Sequence, residues 1–453
     1  MTRTSQVTRL RTRTQPFEEI VENYFGGLFF ACCNALQAYT TPARAALYAR
    51  ASIRADRPAD ALQAVAAVIG GVTDLTHAER GELMMLRAIA LARLAPAGDD
   101  RTRDALSTAR AHVYSSMSPA LEAELGCAES HMHAVRGELE PAANVARGVL
   151  EIPRDDGSHP HLIPLEHSRA RAYDLLGFVA ARREDDAGQR RHLLAALGEC
   201  DRASVHDLVF EANLLVNLAI FAREFGDDGS VRARLGALGE VEQLSAQRYE
   251  ILRCLAWSNA LVGDHLGTFR DLRDASEAAP TTATKIRAVV DRAFFADELG
   301  QQLIAREELD FALRLSERVE WNSVASSERE LAALLHLGVA LIPVDLSRAR
   351  ALIERYRRLK AKFAPSLLAA NDRRARAEEM SAEAKIAVAD GELARARALL
   401  LDAFEIWDAR GYVIRAAMVA RDLAALGAGE CFTAYVADAA ERRPQSWLAT
   451  ARA

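Results

Sequence analysis

Residues 384–403 read AKIAVADGELARARALLLDA and contain the pattern that decides the fold. Apolar residues recur at helical spacing on both sides of Gly391, which is the periodicity of an amphipathic helix. A glycine between two such segments is a typical helix breaker and turn residue. The stretch therefore predicts a helix, a short turn and a second helix, which together form a hairpin.

The same pattern recurs along most of the chain of 453 residues. The turns that resemble hairpin tips lie roughly 36 to 49 residues apart, which is typical of stacked helical hairpins. They are centred on Asp56, Gly98, Gly137, Asp185, Gly226, Gly263, Gly300, Pro343, Gly391 and Gly427. Sustained alternation of apolar and polar residues, as expected of strands, is missing. The sequence thus predicts an all-α repeat, in which one core grows lengthwise.

Small residues stand at fixed distances from several tips. Seven positions before a tip the chain has Ala219, Ala256, Ala293, Ala384 and, in an earlier hairpin, Ser130. Five or twelve positions after a tip it has Ala142, Ala305, Ala312, Ala396 and Ala403. The pattern resembles the tetratricopeptide (TPR) family, in which small residues at these positions let helices cross closely. The resemblance implies an all-α, right-handed superhelical solenoid of about ten TPR-like hairpins.

The resemblance also suggests how the chain is organised. We expect a disordered basic arm over residues 1–15, irregular helical hairpins over 16–119, a TPR-like solenoid over 120–427, and a capping helix and tail over 428–453. The long repeats, and residues 411–426 in particular, are similar to the TPR domains of large bacterial ATP-binding regulators with LuxR-like C-termini. Neither the NTPase module nor the helix-turn-helix of those regulators is recognised in this sequence.

Common local motifs of catalysis are missing. No Gly-x-x-x-x-Gly-Lys-Ser/Thr loop or Gly-x-Gly-x-x-Gly turn offers backbone amides that would hold phosphates. Neither the Gly-x-Ser-x-Gly motif of hydrolases nor the His-Glu-x-x-His motif of zinc peptidases occurs. A dispersed site would escape such a search. The sequence nevertheless favours a protein that binds without catalysis and needs no cofactor.

Charge and cysteine content narrow the partners and the compartment. The net charge of −6 is small, and acidic and basic residues are interleaved, which argues against direct nucleic-acid binding. Six cysteines without a Cys-x-x-Cys pair suggest neither a disulfide framework nor a zinc ribbon, and favour the cytoplasm. The uncharged run from Tyr24 to Tyr39 imitates part of an export signal. It is too short to span a bilayer, and glutamates precede it, so we expect no membrane association.

A metal site is the best enzymatic alternative. Cys127 and His131 are four residues apart on one predicted helix face, and a linker from Pro153 to Pro164 brings further histidines near them. Thiolate and imidazole at this spacing can bind zinc or copper. The competing interpretation is that Cys127 packs inside a hairpin and that the linker histidines are ordinary loop residues. We expect no bound metal.

The resemblance also implies where a ligand would bind. In TPR proteins the first helix of each hairpin lines the concave face, and residues about thirteen, ten, nine and six positions before the tip point towards the groove. In three successive hairpins these positions give the predicted ligand-binding groove: Asn213, Asn217, Glu250, Arg253, Trp257, Arg287, Asp291 and Phe294.

Each kind of groove residue has a binding role and a structural alternative. Asn213 and Asn217 could clamp the backbone of an extended peptide, or hydrogen-bond neighbouring helices. Trp257 and Phe294 could anchor an apolar side chain, or belong to the core. The arginines could hold a carboxylate, or pair with Glu250 and Asp291 in a solvated lattice.

Three functions follow. The leading hypothesis is a cytoplasmic adaptor or regulatory sensor that binds a peptide or protein segment in the groove. The second is an assembly scaffold that uses convex or terminal surfaces, with homo-oligomers left open. The third is a metal-binding enzyme or sensor at Cys127 and His131.

Overall fold

The computed structural model describes residues 15–36, 41–94, 100–154, 161–225, 229–321, 328–363, 373–443 and 446–447. It contains two compact units, residues 1–211 and 212–453. Of the expected basic arm, all but Gln15 lies outside the described residues. The domain boundaries expected at residues 119 and 427 stay predictions.

Unit 1 consists of consecutive helices that pack in antiparallel pairs. Its helices are α1 (Phe17–Phe25), α2 (Phe29–Ala35), α3 (Pro42–Arg54), α4 (Pro58–Gly71), α5 (His77–Leu94), α6 (Asp100–Ser116), α7 (Pro119–Val135), α8 (Leu139–Glu151), α9 (Leu165–Arg182) and α10 (Asp186–Cys200). The division between the two units falls within the next helix, α11 (Leu208–Phe225).

Unit 2 continues the same arrangement. Its helices are α12 (Gly229–Gly239), α13 (Arg248–Leu261), α14 (His265–Ala278), α15 (Thr282–Glu298), α16 (Gln302–Ser316), α17 (Glu328–Leu341), α18 (Leu346–Phe363), α19 (Arg373–Ala389), α20 (Leu393–Ala409), α21 (Val413–Ala425) and α22 (Glu430–Arg442). A short 3₁₀ turn over Glu242–Leu244 precedes α13. Odd-numbered helices from α3 onward are the first helices of their hairpins, and even-numbered helices are the second.

Local sequence explains where the helices begin and end. Proline occupies the first turn of α3, α4 and α7, where its missing N–H costs nothing. The carboxylates of Asp185 and Asp264 each accept a hydrogen bond from the backbone three residues on and so cap α10 and α14. At the tips, Gly137, Gly263, Gly300 and Gly391 adopt the left-handed backbone that glycine tolerates best.

The small residues pack where the TPR resemblance places them. Ala256, Ala293, Ala384 and Ser130 on first helices are all buried, as are Ala142, Ala305, Ala312, Ala396 and Ala403 on second helices. The Ser130 hydroxyl donates to the carbonyl of Ala142 across its hairpin, at 2.8 Å. Because side chains this small fill little space, the two helices approach closely. The prediction of an all-α solenoid of TPR-like hairpins is confirmed, and no strand occurs in the described part of the chain.

The last hairpin of unit 2, α21 and α22, packs against earlier helices of the same unit. One core cluster joins these last helices to α13 and α15. From the C-terminal part it contains Ile414 and Ala417 of α21, Ala439 of α22 and the fully buried Trp447. From the earlier helices it contains Ala256 and Trp257 of α13 and Phe295 of α15. The Glu224 carboxylate in α11 accepts hydrogen bonds from the backbone N–H groups of Ile414 and Arg415, at 2.9 and 3.2 Å. These bonds satisfy donors at the start of α21 that its own helix leaves free.

In the described ranges no helix has both the length and the apolar character needed to cross a bilayer.

Candidate functional site

A cavity of about 670 Å³ lies inside unit 1. First helices α3, α5, α7 and α9 form most of its wall, and Tyr24, Thr102 and Phe210 complete it. Its volume falls in the range of ordinary ligand sites. We call this space the unit 1 cavity.

The repeat register explains why these side chains face the cavity. Asp56, Gly137 and Glu184 have the left-handed backbone of a hairpin tip, with φ near 60–77°. Counting thirteen positions back from Gly137 and Glu184 gives Glu124 and Arg171, and counting six back from Asp56 gives Arg50; all three line the cavity. All three lie on first helices, so the cavity occupies the first-helix face of unit 1.

A buried ionic network forms one side of the cavity. The Arg50 side chain is only 4% exposed, and its Nη2 donates to Glu124 Oε2 at 2.8 Å and to Glu82 Oε1 at 2.6 Å. His161 Nε2 lies 3.0 Å from the same Glu124 oxygen. Burial acts to raise the pKa of Glu124, but the charge of Arg50 and the His161 hydrogen bond hold it well below its ordinary value. Glu124 is therefore a fixed negative charge at neutral pH.

A second buried carboxylate, Asp207, pairs with two arginines that line the cavity. Arg54 Nη2 donates to Asp207 Oδ1 at 3.0 Å, and Arg171 Nη2 lies 3.5 Å from Asp207 Oδ2. Asp207 Oδ1 also accepts the backbone N–H of Phe210 at 3.1 Å, which caps the start of α11. Burial opposes ionisation, yet the two arginines keep the pKa of Asp207 below its ordinary value. The paired guanidiniums are thus held in place around the cavity.

Asp174 is the unusual carboxyl of the cavity wall. No hydrogen bond or ion pair to it occurs within the described residues, and Arg171 is its only strong electrostatic neighbour. Burial raises the pKa of Asp174 to about 6, with Arg171 opposing the shift. A carboxyl shifted in this way is more common at functional sites than elsewhere.

Replacing Asp174 by Asn is expected to stabilise the protein by about 1–2 kcal/mol at about pH 8. The folded-state pKa of Asp174 lies above its ordinary value of 3.8, so the folded protein binds the proton more tightly than the unfolded chain. Stability linked to this proton is complete below 3.8 and is lost as pH rises through about 6. Urea unfolding at several pH values measures the gain, which should shrink towards acid pH.

The exposed Asp104 on α6 supplies the control for this prediction. Asp104→Asn is expected to change stability by less than about 0.5 kcal/mol at every pH. If the Asp174→Asn variant is no more stable than wild type at alkaline pH, burial of this carboxylate does not cost the free energy proposed here.

Cys127 and His131 both line the cavity, but their environments differ. The Cys127 thiol donates to the carbonyl of Ser168 at 3.0 Å, and burial raises its pKa to about 12. It therefore stays protonated at neutral pH, whereas metal ligation needs a thiolate. His131 keeps solvent-accessible surface inside the concavity, and burial together with Arg93 lowers its pKa. In the described ranges no three His, Cys, Asp or Glu side chains gather as a metal site.

The linker histidines are placed differently from one another. His161 does fold back on α7, but onto Glu124 and not onto Cys127. His167, at the start of α9, is buried and its Nε2 lies 2.6 Å from the carbonyl of Val205. His159 lies outside the described residues. The geometry gives the metal hypothesis no support beyond the spacing of Cys127 and His131.

The structure brings several predicted groove residues of unit 2 together. Arg253 Nε and Trp257 Nε1 both donate to Asp291 Oδ2, at 2.7 and 3.1 Å. Burial acts to raise the pKa of Asp291, but Arg253 and Arg287 hold it below its ordinary value. The Arg287 Nε is buried and makes no hydrogen bond within the described residues. These side chains form one polar network on first helices α13 and α15.

The remaining predicted residues divide into exposed and covered ones. Asn213 is exposed and Asn217 and Glu250 are half-buried, so all three are accessible. Trp257 and Phe294 stack with ring centroids 5.7 Å apart, and Trp447 meets Phe294 edge-on at 5.3 Å. Trp257 is buried and shares a core cluster with Trp447, whereas Phe294 is half-buried. The ligand-binding role of the whole set stays a prediction.

Sequence reasoning missed most residues of the unit 1 cavity. Arg50, Arg54, Arg93, Arg136, Arg171 and Asp174 were not among the predicted groove positions. The signal was present, because the same count from the tip gives Arg50 in the hairpin of Asp56 and Glu124 in that of Gly137. At the next tip the left-handed residue is Glu184, one position before the predicted centre, and only this register reaches Arg171 and Asp174.

The hairpin pairs, their buried alanines and the first-helix cavity define a TPR-like helical-repeat protein. No family model and no curated protein matches the chain. The chain is similar to a Rap protein solved with competence and sporulation factor, with 14% identity, a TM-score of 0.44, and coverage of 81% of this chain and 100% of that one.

Two further solved structures are similar in the same way. Yeast Tom70 has 12% identity and a TM-score of 0.40, with 94% of this chain and 95% of that one covered. The TPR domain of P58(IPK) has 13% identity and a TM-score of 0.22, with 84% and 97% covered. With TM-scores this low, none of these likenesses supports a partner or an activity for this chain.

Proposed function

We propose that this chain is a non-catalytic binding protein, an adaptor or regulatory sensor, that takes a peptide or protein segment on the first-helix face of unit 1. The observation that carries the proposal is the unit 1 cavity, which four successive first helices line with both charged and apolar side chains. A repeat solenoid offers such a surface to an extended segment, because each hairpin adds an equivalent row of side chains.

The cavity wall has the composition of a recognition surface. Apolar contacts come from Ile89, Val135 and Leu175, and Val135 is largely exposed. Fixed charges come from Arg50 and Glu124, whose hydrogen bonds hold them in place. Preorganised polar groups beside apolar surface give affinity and orientation together. The same proposal includes a cytoplasmic location and a relation to LuxR-type regulators. It also includes a second ligand strip at Asn213, Arg253 and Arg287.

Filling the cavity with a large side chain is expected to weaken ligand capture. Ala92 is exposed and lines the cavity, so Ala92→Trp adds an indole there without displacing a buried residue. Peptides retained by wild type from a pool of random linear peptides should bind this variant at least about tenfold more weakly, a loss of about 1.4 kcal/mol. Fluorescence anisotropy of the individual peptides measures the difference.

Ala111→Trp is the matched control, since Ala111 is exposed on second helix α6 and does not line the cavity. It should bind like wild type. Retained peptides that bind Ala92→Trp and wild type equally would contradict the proposal, and so would a pool from which wild type retains nothing.

An assembly scaffold is the second candidate. Leu266 and Leu303 stand at the beginning of second helices α14 and α16 and are 87% and 82% exposed. Exposed apolar side chains that repeat on successive second helices favour a partner on that side. Partner binding that Ala92→Trp leaves intact would favour this candidate.

A further inference from the structure

Two histidines meet at the contact between α5 and α6, outside the unit 1 cavity. His77 is the first residue of α5, and His112 lies one turn before the end of α6. Their Nδ1 atoms are 3.0 Å apart, and their ring centroids are 5.2 Å apart. Neither residue lines the cavity, so the proposed function makes no use of this pair.

Close packing of the two helices fixes the position of the pair. Gly81 lies one turn after His77, on the same face of α5, and is buried. A Cβ atom at Gly81 would lie only 3.1 Å from the backbone nitrogen of Val113 and 2.9 Å from its Cγ2 atom. Because Gly81 has no side chain, α6 approaches α5 directly beside His112. Both imidazoles thus stand on helices, which hold metal ligands more precisely than loops do.

The rings are suited to bind a metal at neutral pH. Burial lowers the pKa of His112, and His77 and Arg80 lower it further, so this ring is neutral there. A neutral imidazole keeps the nitrogen lone pair that a metal needs. His77 is exposed and His112 is half-buried, so water reaches the pair and can occupy further coordination positions.

The separation of the two nitrogens suits one shared ion. Zinc–imidazole bonds are about 2.0–2.1 Å long, so two nitrogens on one ion lie about 2.9 Å apart at a right angle and about 3.3 Å apart at a tetrahedral angle. The observed 3.0 Å falls between these values. Without an ion, one ring donates its Nδ1–H to the other Nδ1. On metal binding that proton moves to Nε2 of the same ring, and both Nδ1 atoms become ligands.

We propose that His77 and His112 form a two-histidine site for a divalent transition metal, which cross-links α5 and α6 through their Nδ1 atoms. Imidazole binds Cu²⁺, Ni²⁺ and Zn²⁺, and the general order of affinity places Cu²⁺ first. Mg²⁺ prefers oxygen ligands and should not bind here. The site is separate from Cys127 and His131. A metal bound there would hold together the hairpin whose first helix, α5, lines the unit 1 cavity.

Isothermal titration calorimetry of the full chain tests the site with chlorides of Cu²⁺, Ni²⁺, Zn²⁺ and Mg²⁺. The protein carries no histidine tag and is first stripped of metal with EDTA. We expect one equivalent of Cu²⁺ to bind, Ni²⁺ and Zn²⁺ to bind more weakly, and Mg²⁺ not to bind. Ni²⁺ gives a result free of thiol oxidation, which matters because Cys431 is exposed. The electron paramagnetic resonance spectrum of bound Cu²⁺ should show two equatorial nitrogen ligands.

Variants connect the metal to the two rings. His77→Ala and His112→Ala are each expected to weaken Cu²⁺ and Ni²⁺ binding by at least about 100-fold, because the second imidazole binds intramolecularly. His265→Ala is the control and should bind like wild type. His265 also begins a helix, α14, but it is not paired with another histidine in the described part of the chain.

His112→Asn separates metal binding from a structural role of the pair. The amide can still form a hydrogen bond with His77, so the unfolding midpoint without metal should not change. Ni²⁺ should raise the midpoint of wild type, because it binds the folded chain, and should not raise that of His112→Asn.

Two results would overturn the proposal. One is an affinity for Cu²⁺ and Ni²⁺ that is the same in His77→Ala as in wild type, or is lowered equally in His265→Ala. The other is a stabilisation by Ni²⁺ that persists in His112→Asn, since the ion would then bind elsewhere. Neither result depends on peptide binding, so the proposed function is tested separately.

Discussion

Replacing Glu124 by Leu is expected to destabilise unit 1 by about 3–5 kcal/mol, one of the largest effects of a single substitution in this chain. The substitution removes the principal acceptor of a guanidinium that is 4% exposed. Glu82 alone then faces the Arg50 charge, and the His161 ring loses its partner. Removing one member of a buried ion pair costs more than the pair contributes, because the other charge remains out of water. Urea unfolding at neutral pH measures the loss.

The double variant Arg50→Met with Glu124→Leu separates this cause from simple loss of packing. Replacing a buried pair by apolar residues is often nearly neutral, so the double variant should recover much of the stability. Glu122→Leu, on the same helix but half-buried, should change stability by less than about 1 kcal/mol. A double variant as unstable as Glu124→Leu alone would show that the buried charge is not the reason.

The lowered pKa of Glu124 predicts that its contribution to stability depends on pH. The folded-state pKa of Glu124 lies below its ordinary value of 4.5, so its stabilising effect is complete above 4.5 and is lost as pH falls towards the folded-state pKa. The difference in stability between wild type and Glu124→Leu should therefore narrow on the acid side of 4.5 and stay constant above it.

The fold could be predicted because its information is local. Each hairpin needs only two apolar helices, a tip such as Gly391, and small residues at a fixed distance from it, such as Ala384 and Ala396. The structure confirms these positions, since both alanines are buried and Gly391 has a left-handed backbone. A period of this kind is visible in one sequence without knowledge of distant contacts.

The site could be predicted only in part, because it depends on contacts between distant residues. The register identifies which positions face the first-helix side, but not which arginines are neutralised there. Arg50 and Glu124 are 74 residues apart, and Arg54 and Asp207 are 153 apart. Spacing along the chain cannot show that Arg54 is bonded to Asp207. Only the packing of several hairpins decides this.

The first-helix faces of the two units also differ, and no local sequence pattern predicts this difference. In unit 1 the face contains the cavity. In unit 2, Trp447 packs against Phe294, and Trp257 belongs to the core cluster that also contains Trp447 and residues of α21. The hydrogen bond that the backbone N–H of Ile414 donates to Glu224 joins residues 190 positions apart. The groove predicted from TPR offsets lies on the first-helix face of unit 2 alone.

Replacing Trp447 by Ala is expected to destabilise unit 2 by about 3–5 kcal/mol, the range for deleting a buried tryptophan. Trp447 is fully buried, its ring meets Phe294 edge-on, and the Arg421 guanidinium lies 5.7 Å from its centroid. The variant loses these contacts and leaves a cavity in the core that joins the C-terminal residues to α13 and α15. Denaturant unfolding measures the loss, and hydrogen exchange should show faster opening of α13 and α15.

Leu303→Ala is the control for this last prediction, because Leu303 is 82% exposed on α16 and its truncation should change stability by less than about 0.5 kcal/mol. Faster exchange in α13 and α15 would show that the C-terminal residues hold these helices in a common core. A Trp447→Ala variant as stable as wild type would contradict the contribution of the C-terminal residues to this core.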